Sequence, residues 1–390
     1  MKDGTLVNHP PAVEVPADNH PVVAPIYQTV KFEFDTLAQT EGLLHRERPG
    51  FFYQRASNPT NRQLELTLAA LQRREDAIVC ASGVGAIAGA LLALTRAGDH
   101  VLCFLECYGP TRQLIRRTLG RFGVTHSLLS IQDLDGMARV LASRPTRLIV
   151  FESPTNPINR IADITAITRL ARVHGALTLL DNTCAGPHQH GQFDVDYYVH
   201  SLTKYVAGHG DVMGGVVIAN APLIAALRSE FIVLGGVLDP HAAFLVQRGL
   251  KTYPLRYRAH SERAQRIAEF LDRHPGVART HYPGLPADPG HALARAQMSE
   301  FGGLLSFDLH GGGEAARRCA EALQLFAMTP SLGSTESLVM PRQLLGSRDL
   351  DVAQHAEAGL ADGTVRLSIG LEDVDELLAD LAQALDRAAP

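Results

Sequence analysis

The segment HSLTKYVAGHGDVMGG, residues 200–215, places a lysine between two hydroxyl side chains and ahead of a glycine-rich turn. The Lys204 amine could condense with an aldehyde if burial or a cationic neighbour kept part of it deprotonated. The hydroxyls of Ser201 and Thr203 could donate hydrogen bonds to a phosphate. The alternative is an ordinary exposed lysine at a strand end, since most lysines are exposed. The whole segment favours the first interpretation.

The segment LLDNTCAGP, residues 179–187, is an apolar run that ends on Asp181. In a parallel sheet, ligands bind at the carboxyl ends of the strands. A buried carboxylate there is costly unless it meets a cation. A protonated pyridine nitrogen is such a cation, and keeping it protonated makes pyridoxal 5′-phosphate (PLP) an effective electron sink. The alternative is that Asp181 only caps the turn that follows, a common use of aspartate.

A third segment, CASGVGAIAGALLAL at residues 80–94, runs from a strand through a glycine-rich turn into a helix. The free N–H groups at such a helix start, among them those of Gly83 and Val84, can bind a phosphate. Gly83, Gly85 and Gly89 lack the G-x-G-x-x-G spacing of dinucleotide sites, which argues against a nicotinamide-binding enzyme. A tight turn that only allows close helix–strand packing is the alternative.

Three further places carry candidate side chains. Tyr108 follows the strand-like run 100–105, where a phenol could stack on a planar cofactor and move a proton. Tyr53 and Arg55 together suit a phosphate, although a solvated pair explains them equally well. Arg366 lies on an alternating strand, and its planar fork suits a substrate carboxylate. A surface arginine on an amphipathic strand is the rival interpretation for Arg366.

The order of elements predicts an α/β fold. Short apolar runs alternate with helical segments, which indicates a mostly parallel sheet covered on both faces. We predict an extended N-terminal arm over residues 1–50 and a large domain over 51–245 whose first helix opens with a capping box at 60–63. Over 246–390 we predict a smaller α+β domain with a long helix at about 260–274. The runs assigned to strands are 77–80, 100–105, 147–152, 176–181, 197–200, 215–219, 304–309 and 364–369.

Composition narrows the function classes. The 390 residues, 46% hydrophobic and with a formal net charge of −5, suit two domains and show no clustered basic surface for nucleic acid. The longest apolar run, about ten residues, is too short to span a bilayer, and the polar N-terminus does not resemble a signal peptide. Five cysteines without a C-x-x-C pair predict reduced, core-packed thiols in a cytoplasmic protein. The histidines show no metal-ligand spacing, so we expect no metal.

Taken together, these segments resemble the Cys/Met-metabolism (transsulfuration) family of PLP enzymes. That family includes cystathionine γ-synthase, the cystathionine γ- and β-lyases, methionine γ-lyase and the homoserine-ester sulfhydrylases. The resemblance rests on S-x-T-K-Y-x-x-G-H-x-D-x-x-G-G at 201–215, E-S-P-T-N-P at 152–157, and S-L-G at 331–333, and it covers nearly the whole chain in order. It implies the PLP-dependent fold type I, which is aspartate-aminotransferase-like.

The resemblance also implies roles for single residues. Lys204 would hold PLP as a Schiff base and move protons, Asp181 would pair with the pyridine nitrogen, and Tyr108 would stack on the ring. A homo-oligomer, most simply a dimer of dimers with sites shared between subunits, is implied as well. The remaining residues implied in binding the cofactor and its phosphate are Gly83, Val84, Ser201, Thr203 and Asn156, together with Tyr53 and Arg55 from a neighbouring subunit. Those implied in binding the substrate carboxylate are Arg366, Asn156 and Ser331.

The activity that the resemblance implies is γ-elimination or γ-replacement on a γ-substituted L-amino acid derived from homoserine or homocysteine. It would pass through an external aldimine and a vinylglycine-like intermediate. The alternative within the family is a C–S β-lyase that releases pyruvate and ammonia. A binding module without catalysis is a third hypothesis, against which the complete set of Lys204, Asp181, Tyr108 and Arg366 argues.

The chain departs from the family where substrates are selected. Pro330 replaces a glutamate of cystathionine-type members, and Pro110 replaces a reactive cysteine of methionine γ-lyases. Residues 339–346 replace a segment that usually carries two histidines, and Gln54 and Cys184 also differ from the usual residues. A proline side chain accepts no hydrogen bond, so a distal ammonium would lose a partner, which weakens the cystathionine interpretation. The absence of the cysteine at position 110 weakens the methionine γ-lyase interpretation as well. We interpret these changes as a remodelled pocket for a specialised amino acid.

Overall fold

The computed structural model describes residue 16 and residues 18–45, 47–345 and 349–388. Seven strands form one sheet in the order β1-β7-β6-β5-β4-β2-β3, in which β7 runs antiparallel to both neighbours and the remaining pairs are parallel. The prediction of a mostly parallel sheet is therefore confirmed. The strands are β1 Asp76–Cys80, β2 His100–Phe104, β3 Thr125–Leu129, β4 Leu148–Glu152, β5 Leu177–Asp181, β6 Tyr197–Ser201 and β7 Gly215–Ala219.

Helices cover this sheet, so β2, β4 and β7 are buried along their whole length. Strands buried on both faces read as continuous apolar runs rather than as alternating ones, which is why their positions could be predicted within one or two residues. The helices before and between these strands are Leu37–Leu44, Pro59–Leu71, Gly83–Leu94, Gly109–Gln113, Leu134–Ser143 and Ile164–Val173, and those that follow β7 are Ala221–Leu234 and Pro240–Leu250.

The helix Pro59–Leu71 does not begin with the capping box predicted at 60–63, so that prediction is wrong. Asn58 is the N-cap, and its side chain accepts a hydrogen bond from the Thr60 N–H at 2.9 Å. Asparagine is a strong N-cap and proline is pre-organised for the first helical position, so together they start the helix two residues earlier. The Thr60 hydroxyl instead accepts a bond from the Tyr27 N–H at 2.9 Å.

A second sheet of five strands has the order β10-β11-β12-β9-β8 and its own buried core. The long helix predicted from about residue 260 begins earlier, at Tyr253. The smaller α+β unit is thus present, and domain boundaries at 50 and 245 stay a prediction. The strands are β8 Val277–His281, β9 Leu304–Leu309, β10 Ala327–Met328, β11 Leu338–Pro341 and β12 Thr364–Ser368, and the helices are Tyr253–Asp272, His291–Gln297, Gly312–Ala322, Val352–Glu357 and Val374–Ala388.

The N-terminal arm falls partly outside the described residues, which leave out 1–15. From residue 18 it is largely extended and exposed, but it contains the short helix Leu37–Leu44, which begins with a capping box at Thr36. Contact between this arm and a neighbouring subunit stays a prediction. Among the described residues, no helix combines the length and apolarity needed to cross a bilayer. All five cysteines are buried and none forms a disulfide, as the predicted core thiols require.

Three buried histidines predict how stability depends on pH. His190, His200 and His260 are at most 1% exposed, and burial lowers their pKa values to about 3, 3 and 4. The unfolded chain takes up protons below about pH 6.5, whereas these folded histidines stay neutral, so acid favours unfolding. We expect the free energy of unfolding to fall between about pH 6.5 and pH 4, by up to roughly 1.4 kcal/mol per pH unit for each histidine.

Urea unfolding curves at several pH values measure this directly. A His200→Gln variant keeps a polar side chain beside Gln72, whose Oε1 lies 2.8 Å from His200 Nε2, and should flatten the dependence. Stability that stays level or rises as the pH falls through this range would contradict the prediction.

Candidate active site

A cleft of about 570 Å³ lies where the carboxyl ends of the large sheet face the second sheet. The ends of β4, β5 and β6 and the N-terminus of the helix Gly83–Leu94 contribute one wall, and β11, β12 and the loop before β11 contribute the other. The cleft brings together most of the predicted site residues. They are Gly83, Val84, Tyr108, Asn156, Asp181, Ser201, Thr203, Lys204, Ser331 and Arg366.

Lys204 lies in the turn after β6, with its amine inside the cleft. Nζ donates a hydrogen bond to the Ser331 hydroxyl at 2.8 Å. Burial, followed by the positive charge of Arg366, lowers the pKa of Lys204 below its usual value. A lowered pKa increases the fraction of free amine that can attack an aldehyde. Ser331 has a φ of +105°, a strained conformation for a residue with a side chain and one that is concentrated at functional sites.

Asp181 ends β5 and faces the same cleft. Its Oδ1 accepts bonds from the Thr183 N–H at 3.1 Å and the Thr183 hydroxyl at 2.6 Å, and the Ser201 N–H donates to that hydroxyl at 2.9 Å. Burial raises the pKa of Asp181. No ion pair to it occurs within the described ranges, so a cationic N–H in the cleft would relieve the cost of its charge. Sequence analysis gave Thr183 no role, although a hydroxyl two residues after an aspartate is typical of such turns.

The start of the helix Gly83–Leu94 fits a phosphate. The N-cap Ser82 satisfies the Gly85 N–H, and the first N–H groups of a helix, here those of Gly83 and Val84, have no intrahelical partner. A Cβ at Gly83 would come within 2.7 Å of the Ser201 Cβ, so only glycine allows β6 to approach this closely. The hydroxyls of Ser201 and Thr203 line the same end of the cleft.

Arg366, on β12, is 4% exposed and is held from two sides. Its Nη1 donates to Asn156 Oδ1 at 3.3 Å, and its Nη2 donates to the Ser331 carbonyl at 2.7 Å. Burial lowers its pKa to about 10, so it stays charged at neutral pH. Over the described ranges no carboxylate forms an ion pair with it, and its buried Nε has no partner. A buried arginine without a counter-ion suits the carboxylate of a ligand.

Tyr108 follows β2 and lines the cleft, with 42% of the residue exposed. Its N–H donates to Glu152 Oε2 at 2.9 Å. Burial, then the charges of Glu152 and Asp181, raises the pKa of the phenol, so it holds its proton at neutral pH and can act as a donor. Glu152 itself was named only as part of a motif, without a role of its own.

Tyr53 and Arg55 do not line this cleft within the chain. Both are exposed, and Arg55 Nη1 donates to the Ile232 carbonyl at 2.9 Å. The guanidinium carbon of Arg55 lies 5.8 Å from the centroid of the Tyr53 ring. Their action on a neighbouring subunit's phosphate stays a prediction.

Comparison with known proteins identifies the group to which this arrangement belongs. Residues 7–386 match the family described as Cys/Met metabolism PLP-dependent enzyme. The chain belongs to this family. It is 42% identical to the L-methionine gamma-lyase of Pseudomonas putida over 372 aligned residues. This alignment covers 94% of this chain and 93% of the relative. The cystathionine beta-lyase of Lactococcus lactis is 37% identical, covering 94% of each protein.

Solved structures of the family agree with this fold. The cystathionine gamma synthase of Xanthomonas oryzae superposes with a TM-score of 0.89 at 36% identity, covering 94% of this chain and 93% of the other. The chain is therefore a PLP-dependent enzyme of the lyase and synthase type in Cys/Met metabolism. The cleft fits PLP on its own geometry, since it combines an amine, a buried carboxyl without a cation and a helix start for phosphate.

Proposed function

We propose that this enzyme catalyses γ-elimination or γ-replacement on an L-amino acid derived from homoserine or homocysteine, with an uncharged γ substituent. The observation that carries the proposal is a set of apolar side chains that line the same cleft as Lys204 and Arg366, which we call the apolar wall. Its members are Pro110, Pro330, Leu332, Met340, Leu344 and Leu345.

The charged side chains that line the cleft either have a proposed role at the reacting centre, as Lys204, Asp181 and Arg366 do, or already have hydrogen-bond partners. Arg112 lines the wall, but its Nε and Nη2 donate to the two oxygens of Asp349 at 2.9 and 2.7 Å. Glu152 accepts two backbone N–H groups. Among the described lining residues, none offers an unpaired charge to the far end of a substrate. An ionised γ substituent would therefore find no partner among these residues, which makes its burial costly.

The side chains would share the reaction as follows. Bound PLP supplies an electron sink for the negative charge that develops at the substrate Cα. Arg366 and Asn156 would orient the substrate by its carboxylate, so that the Cα hydrogen faces Lys204. The free Lys204 amine would take the proton from Cα and pass it to the bound cofactor, which would free the amine to take a proton from Cβ. The protonated Tyr108 phenol would donate a hydrogen bond to the departing γ substituent.

A C–S β-lyase remains the second candidate, because the same core residues would also remove a β substituent. The relative from Lactococcus lactis is named as a cystathionine beta-lyase. Cystathionine carries an ammonium and a carboxylate at its far end, however, and the apolar wall suits neither. The wall therefore argues against cystathionine as the substrate, and the 42% identity to the L-methionine gamma-lyase of Pseudomonas putida supports γ over β chemistry.

A substrate panel matched for charge tests the proposal. We expect L-methionine and O-acetyl-L-homoserine to react with a kcat/KM roughly 100-fold above those of L-cystathionine and O-succinyl-L-homoserine, because an unpaired buried charge costs about 3 kcal/mol. The keto acid released should be 2-oxobutyrate, with S-methyl-L-cysteine as the matched β substrate. Pyruvate as the product of every active substrate would contradict γ chemistry, and equal kcat/KM for charged and uncharged substrates would contradict the selectivity alone.

A further inference from the structure

We infer that Glu152 is a positioning residue. Its carboxyl group would fix the backbone of Tyr108, whose ring is expected to stack on the cofactor, and the backbone of Asn156, whose side chain bonds to Arg366. Glu152 is the last residue of β4, so it lies at the floor of the cleft. It is 4% exposed. This role goes beyond the proposed function, because it holds for any substituent that the enzyme removes.

The two carboxyl oxygens of Glu152 bind different parts of the site. Oε2 accepts the Tyr108 N–H at 2.9 Å, and Oε1 accepts the Asn156 N–H at 2.9 Å. Both donors are backbone groups, and no cation forms an ion pair with Glu152 within the described ranges. Burial, then the charge of Asp181, raises the pKa of the Glu152 carboxyl well above its usual value, and the two backbone bonds act in the opposite direction. These two bonds therefore favour the charged form at this position.

The Tyr108 side of this link controls a ring that is otherwise loosely held. Tyr108 is the N-cap of the short helix Gly109–Gln113, and its side chain makes no capping bond. The residue as a whole is 42% exposed. The bond to Glu152 therefore ties the Tyr108 backbone directly to the end of β4, and the angle at which the ring enters the cleft depends on it.

The Asn156 side of the link reaches the substrate carboxylate site. Asn156 Oδ1 accepts a bond from Arg366 Nη1 at 3.3 Å. A shift of the Asn156 backbone would therefore move one of the two supports of the Arg366 fork. Small displacements of such a support lower catalysis strongly, because reacting groups must stay aligned within fractions of an ångström.

Glu152→Gln separates this role from a merely structural one. Glutamine has the same shape, but its one oxygen can accept only one of the two N–H groups, and its amide would face the other as a second donor. We expect the Kd for PLP, titrated by absorbance, to rise about 10-fold and kcat/KM to fall about 100-fold with a raised KM. The visible circular dichroism of bound PLP should change, because it reports how the ring is held.

Glu106→Gln is the matched control. Glu106 is also 4% exposed and accepts bonds from the Ser130 hydroxyl and the Ile131 N–H, both at 2.9 Å, but it does not line the cleft. It differs from Glu152 in forming an ion pair with Arg160 at 2.6 Å, so its variant sets an upper limit for the stability that a buried glutamate loses on this change. Glu152→Asp is the second variant, since it keeps the charge and withdraws both oxygens by one methylene. If both Glu152 variants keep the wild-type PLP affinity, KM and circular dichroism, and lose only as much stability as Glu106→Gln does, the inference is overturned.

Discussion

The Lys204→Ala variant is expected to lose turnover on every substrate, with kcat lowered by at least about 10⁴-fold. The amine of Lys204 lies in the cleft, where its Nζ donates a hydrogen bond to the Ser331 hydroxyl. Burial and the charge of Arg366 lower its pKa, which increases the fraction of reactive free amine. Alanine removes both the group expected to bind PLP covalently and the base expected to move protons at Cα and Cβ. No neighbouring side chain replaces both functions.

The measurement combines single-turnover kinetics with borohydride reduction and mass spectrometry of the peptides. The wild type should carry a reduced pyridoxyl group on the peptide that contains Lys204, and the variant should carry none. Lys251→Ala is the matched control, because Lys251 is exposed and does not line the cleft. A Lys204→Ala enzyme that retains a tenth of the wild-type kcat would exclude the proposed role.

Replacing Arg366 with lysine is expected to lower kcat/KM by about 100-fold or more, chiefly through KM. Lysine keeps the charge but loses the planar fork, and the buried carboxylate of the substrate would keep at most one of two bonds. Truncating one partner of a buried charged pair costs about 2–5 kcal/mol. Asn156 and the Ser331 carbonyl, which hold Nη1 and Nη2, would also lose their fixed donors.

Substrate amides provide the control for this variant. L-methioninamide lacks the carboxylate, so the wild type should have a much lower kcat/KM for the amide than for L-methionine. For the Arg366→Lys variant, kcat/KM should differ little between the amide and the acid. This non-additivity is expected only if Arg366 binds the carboxylate. Equal further losses for the acid and the amide would instead indicate that the Arg366 substitution disturbs the cleft as a whole.

Much of the fold, and the position of the candidate residues at one edge of the sheet, could be predicted because both depend on local sequence. Strands buried on both faces are continuous apolar runs, and the residue that ends such a strand lies at the ligand edge, as Asp181 does. Lys204 and the glycine at Gly83 were predicted for the same reason, since a short motif places each on a turn after a strand. Their convergence in one cleft followed from the sheet order.

The supporting residues could not be predicted, because their partners are distant in sequence. Glu152 bonds backbone groups on two different turns, and nothing local distinguishes it from an ordinary glutamate. Arg112 pairs with Asp349 across 237 residues. The helix that begins at Pro59 shows a second reason why a prediction can fail. Two N-cap signals, Asn58 followed by Pro59 and the Thr60–Gln63 pattern, lie close together, and the first of them starts the helix.

The keto acid that L-methionine yields with the purified enzyme tests the central claim most directly. γ-Elimination of L-methionine must release 2-oxobutyrate together with equal amounts of ammonia and methanethiol, because the four-carbon skeleton stays intact when the γ substituent leaves. We expect this product from the wild type and none from Lys204→Ala. If L-methionine and O-acetyl-L-homoserine gave no 2-oxobutyrate while S-methyl-L-cysteine gave pyruvate, the account of a γ-acting enzyme would be contradicted.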